Sequence, residues 1–155
     1  MSHERYLLLD NLRSLQNVGA LFRTADGAGF SKIYLTGITP TPPRKEISKT
    51  ALGAELSVPW EWYENPIEIL TLLRENSVQI IGLEQSPRSI PYTELILNSK
   101  ASCLILGNEI SGVSQSLLQF SDTIIEIPML GIKQSLNVGT AGGICMYHLL
   151  ELAPK

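Results

Sequence analysis

The chain has 155 residues, 12 Lys and Arg against 15 Asp and Glu, a formal net charge of -3, 44% apolar residues and 17% charged ones. At about 100–200 residues per domain this is a single domain, 1–155, able to bury roughly 68–70% of its unfolded surface. The charged share lies below the ~25% typical of soluble domains, which excludes a disordered chain and calls for a large core or a covering partner.

Tyr6 to Leu9 reads as a short buried strand. Asn17 is expected to cap a helix whose apolar positions Val18, Leu21, Phe22, Ala25 and Ala28 recur at helical spacing, with Gly27 and Gly29 ending it. Lys32 to Thr36 is the next strand. The stiff loop Thr39 to Pro43 leads into a short helix from Ile47 to Ala54. Pro66 suits the first turn of a helix carrying Ile67, Ile69, Leu70 and Leu73. Three apolar strands follow at Val78–Leu83, Ser102–Leu106 and Thr123–Ile127, and a final helix runs from about Val138 to Leu152. Apolar strands alternating with helices predict an α/β fold, a mostly parallel sheet covered by helices on both faces.

The remaining residue types narrow the function. Cys103 and Cys145 form no Cys-x-x-Cys, and Cys103 lies in an apolar run, so both read as core residues rather than ligands. Two histidines, His3 and His148, are too few for a histidine-based metal site, and no metal is expected; His148 is expected to be satisfied or solvated. No segment approaches the ~20 apolar residues of a membrane helix. The N-terminus lacks the features of a signal peptide, so a cytoplasmic protein away from membranes is expected. No G-x-x-x-x-G-K-[ST] or early G-x-G-x-x-G is present.

In parallel sheets ligands bind at the carboxyl ends of the strands. Three such ends carry unusual residues: Glu84 to Ser89, Gly107 to Ser114, and Pro128 to Asn137. Gly107 and Gly112 bracket Glu109, which suits either two tight turns or a loop whose backbone approaches a ligand. Gly139, Gly142 and Gly143 each cost roughly 1 kcal/mol in a helix interior, so another backbone or a ligand is expected against that helix start. Asn137 is placed as its N-cap, a role that competes with ligand contact.

The segments Asn17-Val-Gly-Ala-Leu-Phe-Arg-Thr-Ala25, Leu104-Ile-Leu-Gly-Asn-Glu-Ile-Ser-Gly-Val-Ser114 and Ile127-Pro-Met-Leu-Gly-Ile-Lys-Gln-Ser-Leu-Asn-Val138 resemble the three ordered motifs of the SpoU/TrmH family, within the SPOUT superfamily of knotted methyltransferases. The resemblance spans about residues 5 to 150. It implies transfer of a methyl group from S-adenosylmethionine to a ribose 2′-hydroxyl of tRNA or ribosomal RNA, a C-terminal deep trefoil knot and a homodimer, with no DNA substrate. By position it implies that Leu83, Gly107, Ile127, Met129 and Leu136 contact the cofactor, and that Asn17, Arg23, Glu109, Ser135 and Asn137 form the catalytic and structural polar set. The chain departs from the family pattern in showing no separate RNA-binding extension.

A guanidinium is a poor proton acceptor, so Arg23 reads as a fork for the phosphate next to the reacting hydroxyl, and the proton acceptor stays open. On its helix Arg23 lies away from the apolar stripe. The first 50 residues hold seven basic and four acidic side chains, while the remainder holds five and eleven. Any contact with a polyanion must therefore come from a local patch, for which Arg13, Arg44, Lys45 and Lys49 are the candidates. Two other functions fit the same fold: methylation of a base nitrogen, disfavoured by Asn17, Arg23, Ser135 and Asn137, and a catalytically silent RNA-binding protein.

Overall fold

The computed structural model describes residues 3–154. In chain order the elements are β1 (Glu4–Asp10), α1 (Leu15–Gly27), β2 (Lys32–Thr36), α2 (Lys45–Ala51), α3 (Ala54–Ser57), β3 (Trp60–Tyr63), α4 (Pro66–Glu75), β4 (Gln79–Leu83), β5 (Ile90–Pro91), a 3-10 turn (Tyr92–Glu94), β6 (Ala101–Leu106), α5 (Gln115–Phe120), β7 (Thr123–Glu126) and α6 (Val138–Leu152). The strands form one sheet in the order β3-β2-β1-β6-β4-β7-β5. Every pairing is parallel.

The unbroken apolar runs of the central strands follow from burial on both faces. Leu7 lies opposite Leu104, Leu8 opposite Ile105 and Leu9 opposite Leu106. Because side chains alternate along a strand, Leu7, Leu9, Leu104 and Leu106 pack with Val18 and Leu21 of α1, Ile47 of α2 and Met146 of α6. Leu8, Cys103 and Ile105 face the other way, onto Leu70 and Leu73 of α4 and Leu117 of α5. Both cysteines are buried and free, and burial pushes the Cys145 thiol up to about 12.

Several local expectations change. Asn17 does not cap α1: Ser14 does, its hydroxyl accepting the Asn17 N–H at 3.1 Å, and Asn17 stands in the first turn with its amide free for other work. The helix expected from Ile47 to Ala54 is two pieces, because Leu52 (φ 52°) and Gly53 (φ 95°) take left-handed conformations between α2 and α3. The edge strands β3 and β5 and the short helix α5 do not stand out in the sequence. β5 has two residues and ends in Pro91, which an edge tolerates. His148 is half-buried; its Nε2 has no hydrogen-bond partner among the described residues, and the ring meets Tyr92 edge-on at 5.1 Å.

Of the glycines of α6, Gly142 is required by packing against α1, which runs beside it in the same direction, and against β6, whereas the α1 side chains nearest Gly139 and Gly143 leave room for a Cβ. A Cβ on Gly142 would lie 2.7 Å from Leu106 Cδ1 and 2.8 Å from Leu21 Cδ2, so that position faces the core of the same chain. A Cβ on Gly139 would lie 3.7 Å from Asn17 Oδ1, and one on Gly143 would lie 3.8 Å from Thr24 Cγ2. Side chains, not a backbone or a ligand, are pressed against Gly142. No helix among the described residues is long and apolar enough to cross a membrane.

Candidate active site

The carboxyl ends of β4, β6 and β7 open into one cavity of about 190 Å³. Its apolar walls are Leu83, Leu106, Ile127, Met129, Leu136 and Val138, and its floor includes Gly107. Three acidic residues line it, Glu84, Glu109 and Glu126, and among the described residues no Lys or Arg does. Such a site suits a ligand with an apolar body and positive charge, and repels a phosphorylated one. Residues 131–137 are exposed along the rim, where Gln85 Nε2 donates to the Gln134 carbonyl at 2.6 Å.

Glu109 does more than line the cavity. Its carboxylate accepts the backbone N–H groups of Arg13 (2.9 Å) and Ser14 (2.8 Å) and the Asn17 amide (3.2 Å). Partial burial pushes its pKa up, but these donors outweigh burial and hold the carboxyl below its usual range. An ionised carboxylate saturated with donors is a poor proton acceptor, so Glu109 acts as a fixed clamp between the β6 loop and α1. The chain of bonds continues. Asn137 donates from Nδ2 to Asn17 Oδ1 at 3.3 Å, while its own Oδ1 caps α6 by accepting from Gly139 N (2.8 Å) and Thr140 N (3.2 Å). Glu109, Asn17 and Asn137 thus tie together three segments that are far apart in sequence.

The expected residues are distributed as follows. Leu83, Gly107, Ile127, Met129 and Leu136 lie on the cavity, as do Glu109 and Ser135. Asn17 and Asn137 stand behind it in the bond chain. Arg23 is exposed on α1 and does not line the cavity; nor do Arg13, Arg44, Lys45 and Lys49, all exposed. Glu84 and Glu126 are site residues that motif reading missed. Glu84 accepts the Val113 N–H at 3.0 Å and Glu126 accepts the Ser89 hydroxyl at 2.7 Å. The available signal was their place at the carboxyl ends of apolar strands. Among the described residues no cluster of His, Cys, Asp and Glu could hold a metal ion.

Residues 4–147 match the SpoU rRNA Methylase family. The chain belongs to that family. It is 31% identical, over 94% of its length, to a 23S rRNA (guanosine-2′-O-)-methyltransferase of Vibrio vulnificus, and covers 58% of that protein. It is 32% identical, over 90% of its length, to a tRNA (guanosine(18)-2′-O)-methyltransferase of Aquifex aeolicus, and covers 65% of it. The chain therefore spans about three fifths of the length of these relatives. An rRNA methyltransferase from Sinorhizobium meliloti, solved with AdoMet bound, superposes with a TM-score of 0.88 at 31% identity, covering 95% of this chain and 56% of that one.

Of the two readings of Gly107, the tight turn has a direct geometric basis, and the residue also lines the cavity. A Cβ there would lie 2.3 Å from the Gly112 carbonyl oxygen and 2.5 Å from Val113 N. Its lack of a side chain serves the tight turn of its own loop, where Asn108 and Gly112 exchange backbone bonds at 3.1 and 2.9 Å. A side chain at 107 therefore disturbs the loop as well as any cofactor contact. Gly107→Ala is expected to destabilise the protein by about 1–3 kcal/mol through overpacking, and to weaken cofactor binding as a consequence. Thermal melts paired with calorimetry check this; a full-stability variant with lost binding would restore the ligand-contact role.

Proposed function

We propose that this chain is the methyl-transferring domain of an S-adenosylmethionine-dependent RNA ribose 2′-O-methyltransferase. The observation that carries the reading is the convergence of segments 104–114 and 127–138 on one anionic, apolar-walled cavity at the sheet's carboxyl edge, with segment 17–25 tied to both through the Asn17 side chain. The relatives named as guanosine 2′-O-methyltransferases support it.

The cavity fits the cofactor in charge and wall chemistry. S-adenosylmethionine carries an ammonium, a carboxylate and a sulfonium, net positive, beside a flat adenine and a ribose, and the site offers acidic residues, Glu84 and Glu126, among aliphatic walls. The enclosed volume is below the ~300–1,000 Å³ of pockets that bury a whole ligand, so part of the molecule occupies the open mouth. Leu83, Ile127, Met129 and Leu136 would hold the apolar body, and Glu84 or Glu126 the cationic end. When bound, the cofactor supplies an electrophilic methyl group. The chain's own residues supply alignment, which is worth up to ~7–11 kcal/mol in such reactions. Glu109, Asn17 and Asn137 fix the β6 loop and the starts of α1 and α6 relative to one another. Ser135 offers a hydroxyl at the rim. Arg23, exposed and free of ion pairs among the described residues, offers a guanidinium fork for an RNA phosphate.

The reading extends to a single domain, a knot and a homodimer. β7 lies between β4 and β5, after which the chain returns to pack α6 on α1 and β6; this doubling back supports a trefoil path through residues 128–137. Leu130 (98% exposed) and Ile132 (97%), with Tyr147 on α6 (47%), form apolar surface that a second copy would cover. The Gly142 face is not part of that surface, since it is filled from within.

Calorimetry with S-adenosylmethionine tests the enzyme reading: absence of binding would leave a silent RNA-binding protein. Nuclease digestion of methyl-labelled RNA then separates ribose from base methylation. The basic residues are tested by salt. Arg44, Lys45 and Lys49 are exposed, and the Arg44–Glu46 pair at 3.5 Å is too exposed to neutralise Arg44 effectively. Each phosphate contact contributes about 0.7–0.9 to the slope of log affinity against log salt, so the triple alanine variant is expected to flatten it by about two to three units. An unchanged slope would place the RNA elsewhere.

A further inference from the structure

A second concavity lies along the edge strand β3, between that strand and the loop that follows the carboxyl end of β2. It is a groove of about 550 Å³ with Pro40, Pro42, Pro43 and Arg44 on one wall and Trp60 and Trp62 on the other. Trp60 and Trp62 are two apart on the edge strand β3 and so share a face. Trp60 is half-buried against the core, whereas Trp62 is 48% exposed.

The groove is stiff. The Trp62 indole N–H donates to the Gly37 carbonyl at 3.0 Å, so the ring is pinned by its nitrogen and presents carbon to solvent. The facing loop is anchored at its root: Thr39 Oγ1 donates to the Leu9 or Thr36 carbonyl (2.9 and 2.8 Å) and accepts the Leu12 N–H at 3.1 Å. Asn11 Oδ1 accepts the Ile38 N–H at 3.0 Å. The prolines add fixed φ angles and no backbone donors. An exposed tryptophan held in one orientation loses little entropy when something stacks on it.

We propose that this groove binds an unpaired nucleotide of the RNA substrate, with its base on Trp62 and its phosphate toward Arg44. This rests on the RNA-methylating reading above and adds a recognition site to it. Two observations select a nucleotide over other occupants. The rim is cationic, with Arg44 in the groove and Lys45 and Lys49 on the following helix, the latter two sharing a face at i, i+4 spacing. Aromatic platforms flanked by cations are the general solution for single-stranded nucleic acid. The position also fits: from β4, the middle of the three strands that frame the cavity, to β3 is four strand spacings, ~19 Å at about 4.8 Å each, a distance that a few nucleotides of single strand span.

The chain's only two tryptophans lie in this groove, so intrinsic fluorescence reports on it directly. A mixed-sequence single-stranded oligoribonucleotide is titrated into the protein, with a duplex of the same length for comparison. Stacking predicts quenching by the single strand, and a loss of affinity of about 5- to 150-fold in Trp62→Ala. Trp62→Phe should recover most of it, and affinity for S-adenosylmethionine should not change. Undiminished oligonucleotide affinity in Trp62→Ala, while the Arg44, Lys45 and Lys49 alanine variant still weakens binding, would overturn the groove and leave the RNA surface standing. Quenching by a polyproline peptide but not by the oligonucleotide would overturn it in favour of a protein partner. Should the wild-type protein bind no single-stranded or duplex RNA, the underlying reading falls, and the groove proposal with it.

Discussion

Arg23→Ala is expected to lower methyl transfer to RNA by about 10²–10³-fold, the usual consequence of removing one preorganised charge from a reacting centre. Cofactor affinity should be unchanged, because Arg23 does not line the cavity that would hold the cofactor. Stability should also be unchanged, since the side chain is exposed and forms no ion pair among the described residues. Arg23→Lys separates the possible roles. Lysine keeps the charge but not the planar fork that meets a phosphate through two parallel bonds. A phosphate fork therefore predicts weaker RNA capture and slower single-turnover transfer in both variants. Slow turnover with unaltered RNA affinity, rescued by raising pH, would instead make Arg23 the proton acceptor.

Glu109→Ala is expected to destabilise the protein by about 1.5–3 kcal/mol, the range for hydrogen bonds to a charged group. It strands the N–H groups of Arg13 and Ser14 and releases the Asn17 amide. Cofactor binding should weaken as well, because the loop after β6 loses its tie to α1. Partial burial pushes the Glu109 carboxyl up, but the surrounding donors prevail and its folded pKa lies below the unfolded one. The stability it contributes is therefore fully present above the ordinary carboxylate value of about 4.3 and is lost as pH falls through the folded value. Denaturant melts across the acid range should show that loss in the wild type and its absence in Glu109→Gln. Parallel acid profiles for the two proteins would mean that the carboxylate charge is not what holds the junction.

The parallel sheet was legible because local pattern and tertiary demand coincide. A strand buried on both faces needs apolar side chains at every position, and Leu7–Leu9 and Cys103–Leu106 show that need directly. The two edge strands were not legible for the converse reason. At an edge, one partner strand and partial solvent cover suffice, so Trp60-Glu-Trp-Tyr63 carries no such pattern.

Ser14 and Asn17 show where local reading stops. Both residue types favour helix caps, and three positions apart either can serve. What decides is Glu109, whose carboxylate holds the backbone at 13 and 14 so that the helix starts there, and occupies the Asn17 amide. The rough boundaries of the central strands and of α1, α4 and α6, the glycine-marked loops and the polar motif residues were determined by the sequence alone, through backbone propensity and burial period. Tertiary structure alone decided what those residues touch. Gly107 is glycine because Gly112 crosses it, Gly142 because Leu21 and Leu106 fill its space, and Glu84 reaches the cavity because β4 ends beside β6 and β7. The reason is range. Propensity and periodicity act over a few residues, whereas the Glu109–Asn17 and Asn137–Asn17 bonds join positions 92 and 120 residues apart, which only the packed sheet and its helices bring into contact.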